Sequence, residues 1–162
     1  MNPPIEVQYA TVLTDIPTSA CFDSWVRAID TAVTRHGALT IRLVDEAEGL
    51  ELNRRFRGRD GATNVLSFAF EPMPGLPEDQ AVLGDLVICA PVVAREADQQ
   101  GKSVRAHHAH MAIHGTLHLL GYDHLTEDDA VRMERIECEI LAGLGFSNPY
   151  ELHTERNGRA TG

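Results

Sequence analysis

The stretch HGTLHLLGYDH, residues 114–124, constrains this chain more than any other. Its histidines stand at 114, 118 and 124, with Gly121 between the last two. An α-helix turns about 100° per residue, so His114 and His118 sit on successive turns of one face. Glycine accepts the left-handed backbone that reverses a chain at a helix end. A helix that stops at Gly121 and turns through Tyr122 and Asp123 therefore returns His124 to the two helical imidazoles. The pattern demands a helix, a reversal and a point of convergence.

The helical reading extends back to Ser103. Over 103–120, Ala109, Ile113, Thr116, Leu117 and Leu120 share one side. His107, His110, His114 and His118 share an adjacent sector about 80° wide. A lone helical histidine is ordinarily structural. Three at these spacings around a helix-ending glycine form a metal-ligand set. Neutral imidazoles suit zinc, and nickel or copper as well. Three protein ligands leave a fourth position open, which marks a catalytic rather than a structural site. A metal with an open position lowers the pKa of a bound water from about 15.7 to about 7, or polarises a substrate oxygen. His110, one turn before His114, has two roles open to it: packing, or supporting a ligand or substrate. His107 and His108 lie outside the triple, and His36 and His153 read as incidental.

The spacing matches the HExxHxxGxxH metal helix and turn of metzincin proteases. One residue departs from it: Gly115 stands where those enzymes place their glutamate general base. Without that carboxylate a peptidase lacks its proton acceptor. The metal site survives this reading, and proteolysis does not.

The rest of the chain reads as strands followed by helices. Ile5–Tyr9 alternates weakly. Ser19–His36 has helical spacing, with Gly37 as its stop. Leu39, Ile41 and Leu43 alternate as a strand. Asp45 looks like an N-cap for a helix through Leu50, Leu52 and Phe56. Gly58 and Gly61 make 57–61 a loop. Asn64–Phe70 and Val82–Cys89 read as strands, separated by a proline-rich loop over 71–79. Helices are predicted from Pro91 to about Gln100, from Ser103 to Leu120, and from a Thr126 cap with Asp129 in its first turn. Val131, Ile136, Ile140, Leu141 and Leu144 give that last helix its apolar face.

This order predicts an α/β chain of the α+β type. One domain over residues 3–151 carries a small mixed four-stranded sheet, packed with about five helices. The metal site lies at the end of a central helix, and 152–162 form a flexible polar tail. A chain of 162 residues can bury a core without disulfides. Cys21, Cys89 and Cys138 are odd in number and lack CxxC spacing, which fits reduced, buried thiols in a cytoplasmic protein. No signal peptide is visible, and no apolar run approaches the ~18 residues of a membrane span.

The formal net charge of −10 argues against a general nucleic-acid binder. Distribution qualifies that sum, because Arg54, Arg55, Arg57 and Arg59 crowd into six positions. Asp85 interrupts an apolar strand, and a buried carboxylate must be paired or hydrogen-bonded. It either braces a ligand imidazole or pairs with an arginine, and Asp123 is a further candidate brace.

The chain resembles the bacterial YbeY family of metal-dependent endoribonucleases. The carrying residues are AHMAIHG from Ala109 running into HGTLHLLGYDH, with FRGRDGATNVLSF (56–68), LGDLVIC (83–89) and LGFSNPYE (144–151). The resemblance spans roughly residues 5 to 151. It implies one Zn²⁺ per chain on His114, His118 and His124, and cleavage of single-stranded RNA. It further implies 16S ribosomal RNA 3′-end maturation, ribosome quality control, and contacts with ribosomal proteins or assembly factors. Arg57 falls at the family's functional arginine, while Phe56 departs mildly from an expected tyrosine. A guanidinium beside a metal suits phosphodiester hydrolysis, since Arg grips phosphate oxygens through two parallel hydrogen bonds. Arg55 and Arg59 are weaker candidates for phosphate positioning. Asn64 and Ser67 either contact RNA or stabilise the strand. The nucleophile is either water or the RNA 2′-hydroxyl. Two other readings stand beside this one: a metallohydrolase of esters or amides, and a non-catalytic, zinc-stabilised ribosome assembly factor.

Overall fold

Strand alternation and helical periodicity resolve into one sheet with helices on both faces. A computed structural model describes residues 3–33, 37–70, 75 and 81–150. The strands are β1 (Ile5–Ala10), β2 (Ala38–Val44), β3 (Val65–Ala69) and β4 (Val82–Cys89), in the order β1-β2-β4-β3. β2 runs parallel to both β1 and β4, and β3 is antiparallel to β4. The mixed four-stranded sheet of the sequence reading is therefore present, with β3 on an edge. The helices are α1 (Ser19–Ala28), α2 (Glu46–Arg57), α3 (Ala90–Gln100), α4 (Val104–Leu119) and α5 (Glu127–Gly143).

The sheet's two faces do different things. Leu39, Ile41 and Leu43 of β2 stand in register beside Gly84, Leu86 and Ile88 of β4. They belong to the main core, with Phe22, Trp25 and Val26 of α1 and Ile113 and Leu117 of α4. The alternate residues Val44, Val87 and Cys89 join Leu66 and Val92 in a smaller cluster under α2 and α3. α4 is the central element, touching α1, α3, α5, β3 and β4. Residues 107–113 and 115–117 of α4 are accordingly all buried. Its N-cap Ser103 accepts the Ala106 N–H at 3.0 Å, and Thr126 caps α5 through the Asp129 N–H at 3.1 Å.

Several expectations need correction. α1 ends at Ala28 and tightens into a 3₁₀ turn, Ile29–Thr31, instead of running to His36. The β-branched Ile29, Thr31 and Val33 are poor helix formers, and the Thr31 hydroxyl donates to the Ala28 carbonyl at 2.7 Å. Gly37 opens β2 rather than closing a helix; a Cβ there would sit 2.7 Å from the Leu83 backbone nitrogen. Asp45 occupies the α2 N-cap position, but its carboxylate leaves the helix end. It accepts instead from the Thr11 hydroxyl and from the Val12 N–H at 3.1 Å, tying α2 to the chain after β1. Val131 lies on the solvent side of α5, 61% exposed. The three cysteines form no disulfide with one another, and only Cys89 is buried; Cys21 and Cys138 are half-buried. No helix among the described residues is long and apolar enough to cross a membrane. The expected 71–79 loop apart from Gly75, His36, His153 and the 152–162 tail fall outside the described residues.

Candidate metal centre

The last two turns of α4 deliver His114 and His118 with their Nε2 atoms 3.1 Å apart. Leu120 ends the helix, and Gly121 follows at φ 100°, the left-handed conformation glycine takes without strain. The Gly121 N–H donates to the His118 carbonyl and the Tyr122 N–H to the Leu117 carbonyl, both at 3.0 Å. This paired closure satisfies the helix end and turns the chain back. His124 arrives with its ring 5.9 Å from that of His114 and 5.1 Å from that of His118. One nitrogen from each ring lies within 4.8 Å of the others.

The donor set fits a divalent cation. Burial, with the neighbouring His114 and His124, lowers the His118 pKa and favours the neutral, ligating form. On the far side of the His114 ring, Nδ1 lies 2.9 Å from Oε2 of Glu137 on α5. A carboxylate only accepts, so His114 carries its proton on Nδ1 and leaves Nε2 a lone pair. Glu137 is fully buried. Its Oε1 accepts the Tyr150 hydroxyl at 2.7 Å and faces His110 Nε2 at 3.0 Å. Burial alone would raise its pKa, but the hydrogen bonds from His110 and His114 outweigh that and hold it down to about 2.

Glu137 was absent from the sequence reading, although a signal for it existed. It falls on the buried stripe of α5 with Met133, Ile140 and Leu141. A carboxylate in an apolar stripe demands a partner. The roles considered for other residues resolve against it. His110 is buried behind His114 and shares Glu137, so it packs and supports. Asp123 accepts the Leu125 N–H at 3.2 Å and shapes the turn before His124. Asp85 stands in register beside Phe68 and Thr40, on the sheet face away from α4. Among the described residues no imidazole or arginine reaches it, and burial raises its pKa.

The three histidines form one wall of a groove of about 1010 Å³. Arg57, at the exposed end of α2, and Arg59 line it as well, whereas Arg55 does not. Arg57 Nη2 donates to the Ser67 carbonyl at 2.9 Å. The Ser67 hydroxyl in turn donates to the Gly115 carbonyl at 3.0 Å, beside His114. A continuous polar link thus joins the arginine to the metal helix. Asn64 lines the groove but holds Glu96 at 3.0 Å and the Val65 N–H at 2.7 Å, so it secures the start of β3.

The family model for Endoribonuclease YbeY matches residues 8–145. The chain belongs to this family. An Endoribonuclease YbeY of Xanthomonas campestris pv. campestris is 53% identical over 148 residues, covering 90% of this chain and 92% of its own. That of Alkalilimnicola ehrlichii is 54% identical over 151 residues, 91% of each chain. The fold resembles the solution structure of TM1509 from Thermotoga maritima, with a TM-score of 0.53, 24% identity, and coverage of 85% and 91% of the two chains. At that identity the likeness concerns the fold alone. The YbeY resemblance drawn from the histidine stretch and its companion segments is thereby established over nearly the length it was traced.

Proposed function

We propose that this member of the endoribonuclease YbeY family cleaves single-stranded RNA at the three-histidine centre, with one zinc ion held by His114, His118 and His124. The observation that carries the reading is the convergence of three imidazoles on the wall of a groove that also presents Arg57. When bound, the ion supplies Lewis-acid polarisation at its open side. The remaining work falls to the chain's own residues. Hydrolysis of a phosphodiester builds negative charge on the nonbridging oxygens, and Arg57 offers a planar pair of donors to meet it. The bond from Arg57 to the Ser67 carbonyl uses one Nη2 proton and leaves the rest of the guanidinium fork for phosphate. Arg59 adds a second positive charge along the same groove and positions the strand. Gly115 supplies no carboxylate beside the centre, which separates this site from a peptidase.

The substrate in the cell is the 3′ end of small-subunit 16S ribosomal RNA, in the cytoplasm, where the enzyme also serves ribosome quality control. Three cysteines that form no disulfide with one another fit a reducing compartment. The test compares zinc-loaded protein with its His118→Ala variant on single-stranded RNA. Cleavage by the first and not the second is expected, and equal cleavage by both overturns the reading. Unprocessed 16S 3′ ends in cells carrying only His118→Ala are the matching cellular outcome; mature ends there remove the ribosomal assignment.

A further inference from the structure

Among the described residues Glu137 is the one carboxylate hydrogen-bonded to a member of the histidine triple, and its bonding leaves it a single orientation. Oε2 takes the proton on His114 Nδ1 at 2.9 Å. Oε1 takes the Tyr150 hydroxyl at 2.7 Å and lies 3.0 Å from His110 Nε2. Three partners, two on α4 and one beyond the end of α5, thus clamp a side chain with no solvent exposure. His114 Nε2 is then directed at His118 Nε2, 3.1 Å away. Among the described residues His118 has no carboxylate hydrogen-bonded to its ring; it meets His114 and the backbone of Tyr122. We infer that Glu137 is the positioning residue of the metal centre: it fixes the tautomer and ring plane of His114 and sets a buried carboxylate behind the three histidines. The inference rests on the zinc reading above.

The chemistry is specific to the Oε2 side. An imidazole that donates from Nδ1 to a carboxylate becomes a more basic ligand at Nε2, and removing such a partner typically weakens metal binding by about 10–100-fold. A glutamine at 137 keeps the volume but not the charge, and its amide can turn its NH₂ toward Nδ1 and favour the wrong tautomer. The Oε1 side has a different main job, which is to satisfy buried His110 and the hydroxyl of half-buried Tyr150, whose contact with Oε2 is the longer one at 3.4 Å. Tyr150→Phe removes that bond and leaves the Oε2–His114 bond in place. A carboxylate that merely fills a polar hole in the core would make the two variants alike.

The test is the affinity for zinc, measured by competition with a chromophoric chelator on the wild type, Glu137→Gln and Tyr150→Phe, each shown folded without metal by circular dichroism. Expected are a loss of about 10–100-fold for Glu137→Gln and wild-type affinity for Tyr150→Phe, which loses only melting temperature. Equal affinities for Glu137→Gln and the wild type overturn the inference, as do equal losses in both variants. A wild type that binds no zinc overturns the metal reading itself, a separate result. Should Glu137→Gln not fold, the tautomer of His114 in the metal-free wild type decides, read from long-range ¹H–¹⁵N spectra. The Nδ1–H form is expected, and the Nε2–H form overturns the proposal.

Discussion

Gly115 packs against Leu86 so closely that a Cβ on the glycine would sit 2.8 Å from Leu86 Cδ2, with Val65 Cγ2 at 3.2 Å. α4 therefore lies flat on β3 and β4 at the residue after His114. The contact accounts physically for the missing glutamate, since a long side chain at 115 has no room. Gly115→Ala gains about 0.8–1 kcal/mol of helix propensity but incurs about 1–3 kcal/mol of overpacking, so a net destabilisation is expected. Gly143, in α5, meets nothing within 4 Å of its added Cβ. Gly143→Ala is expected to move the melting temperature upward. Urea titrations of the two variants check the opposite signs.

Arg57 is exposed, and the Ser67 carbonyl is its hydrogen-bond partner across the groove. Arg57→Ala is expected to lower RNA cleavage by about 10²–10³, the usual effect of removing one electrostatic partner of a transition state. Arg57→Lys keeps the charge but loses the two-pronged grip, so it recovers only part of the rate. Stability of both variants stays within about 0.5 kcal/mol of the wild type, as for other surface changes. Single-turnover cleavage alongside thermal melts separates the two effects.

If the three histidines hold zinc as proposed, binding couples to folding, because an unfolded chain does not hold the three imidazoles together. At zinc 100 times the dissociation constant, the folded state gains about 2.7 kcal/mol, and a chelator removes it. His124 is exposed and lies outside the helices. His124→Ala is expected to leave the metal-free melting temperature nearly unchanged while abolishing the zinc-induced rise. Scanning calorimetry with and without added zinc tests both halves.

His108 is 1% exposed, with its ring edge-on to Phe22 at 5.8 Å. Burial, aided by neighbouring His107, lowers its pKa from 6.5 to about 4. Its folded-state pKa lies below the unfolded one, so the unfolded state takes the proton first. The stability associated with neutral His108 is complete above pH 6.5 and is lost as pH falls toward 4. The gap corresponds to about 3 kcal/mol. Glu137, held down from 4.5 to about 2, loses its stabilisation mainly below pH 4.5 and so adds to the fall only at the acid end of this window. His110 and His118, also pushed down by burial, add a slope of the same sign. His108→Leu is expected to flatten, without abolishing, the fall in melting temperature between pH 6.5 and 4.5. An unchanged slope would falsify the assignment.

Much of this was legible because the signals are local. The Ser103 and Thr126 caps, the Gly121 reversal and the alternation in β2 each involve a few neighbouring residues, and each element forms where its signal lies. The convergence of His114, His118 and His124 belongs to the same class, since one helix turn and one tight reversal bring them together. Local patterns failed where a competing local bond intervened, as at Thr31, or where solvent exposure was decided by a distant partner, as at Val131. Asp85 shows the limit most clearly. Its strand was read correctly, but which face it occupies depends on how β4 pairs with β2 and β3.

By itself, then, the chain's residue order determined most of its elements, its family and the convergence of the three histidines, because each rests on spacings within one helix, one strand or one turn. Only the tertiary structure decided that Glu137 stands behind His114, 23 residues away along the chain. It also decided that Arg57 reaches toward the metal helix through Ser67 and that Asp85 faces away from it. These relations depend on how α5 crosses α4 and on which edge β3 takes. Packing of whole elements sets both, and no short-range periodicity records them.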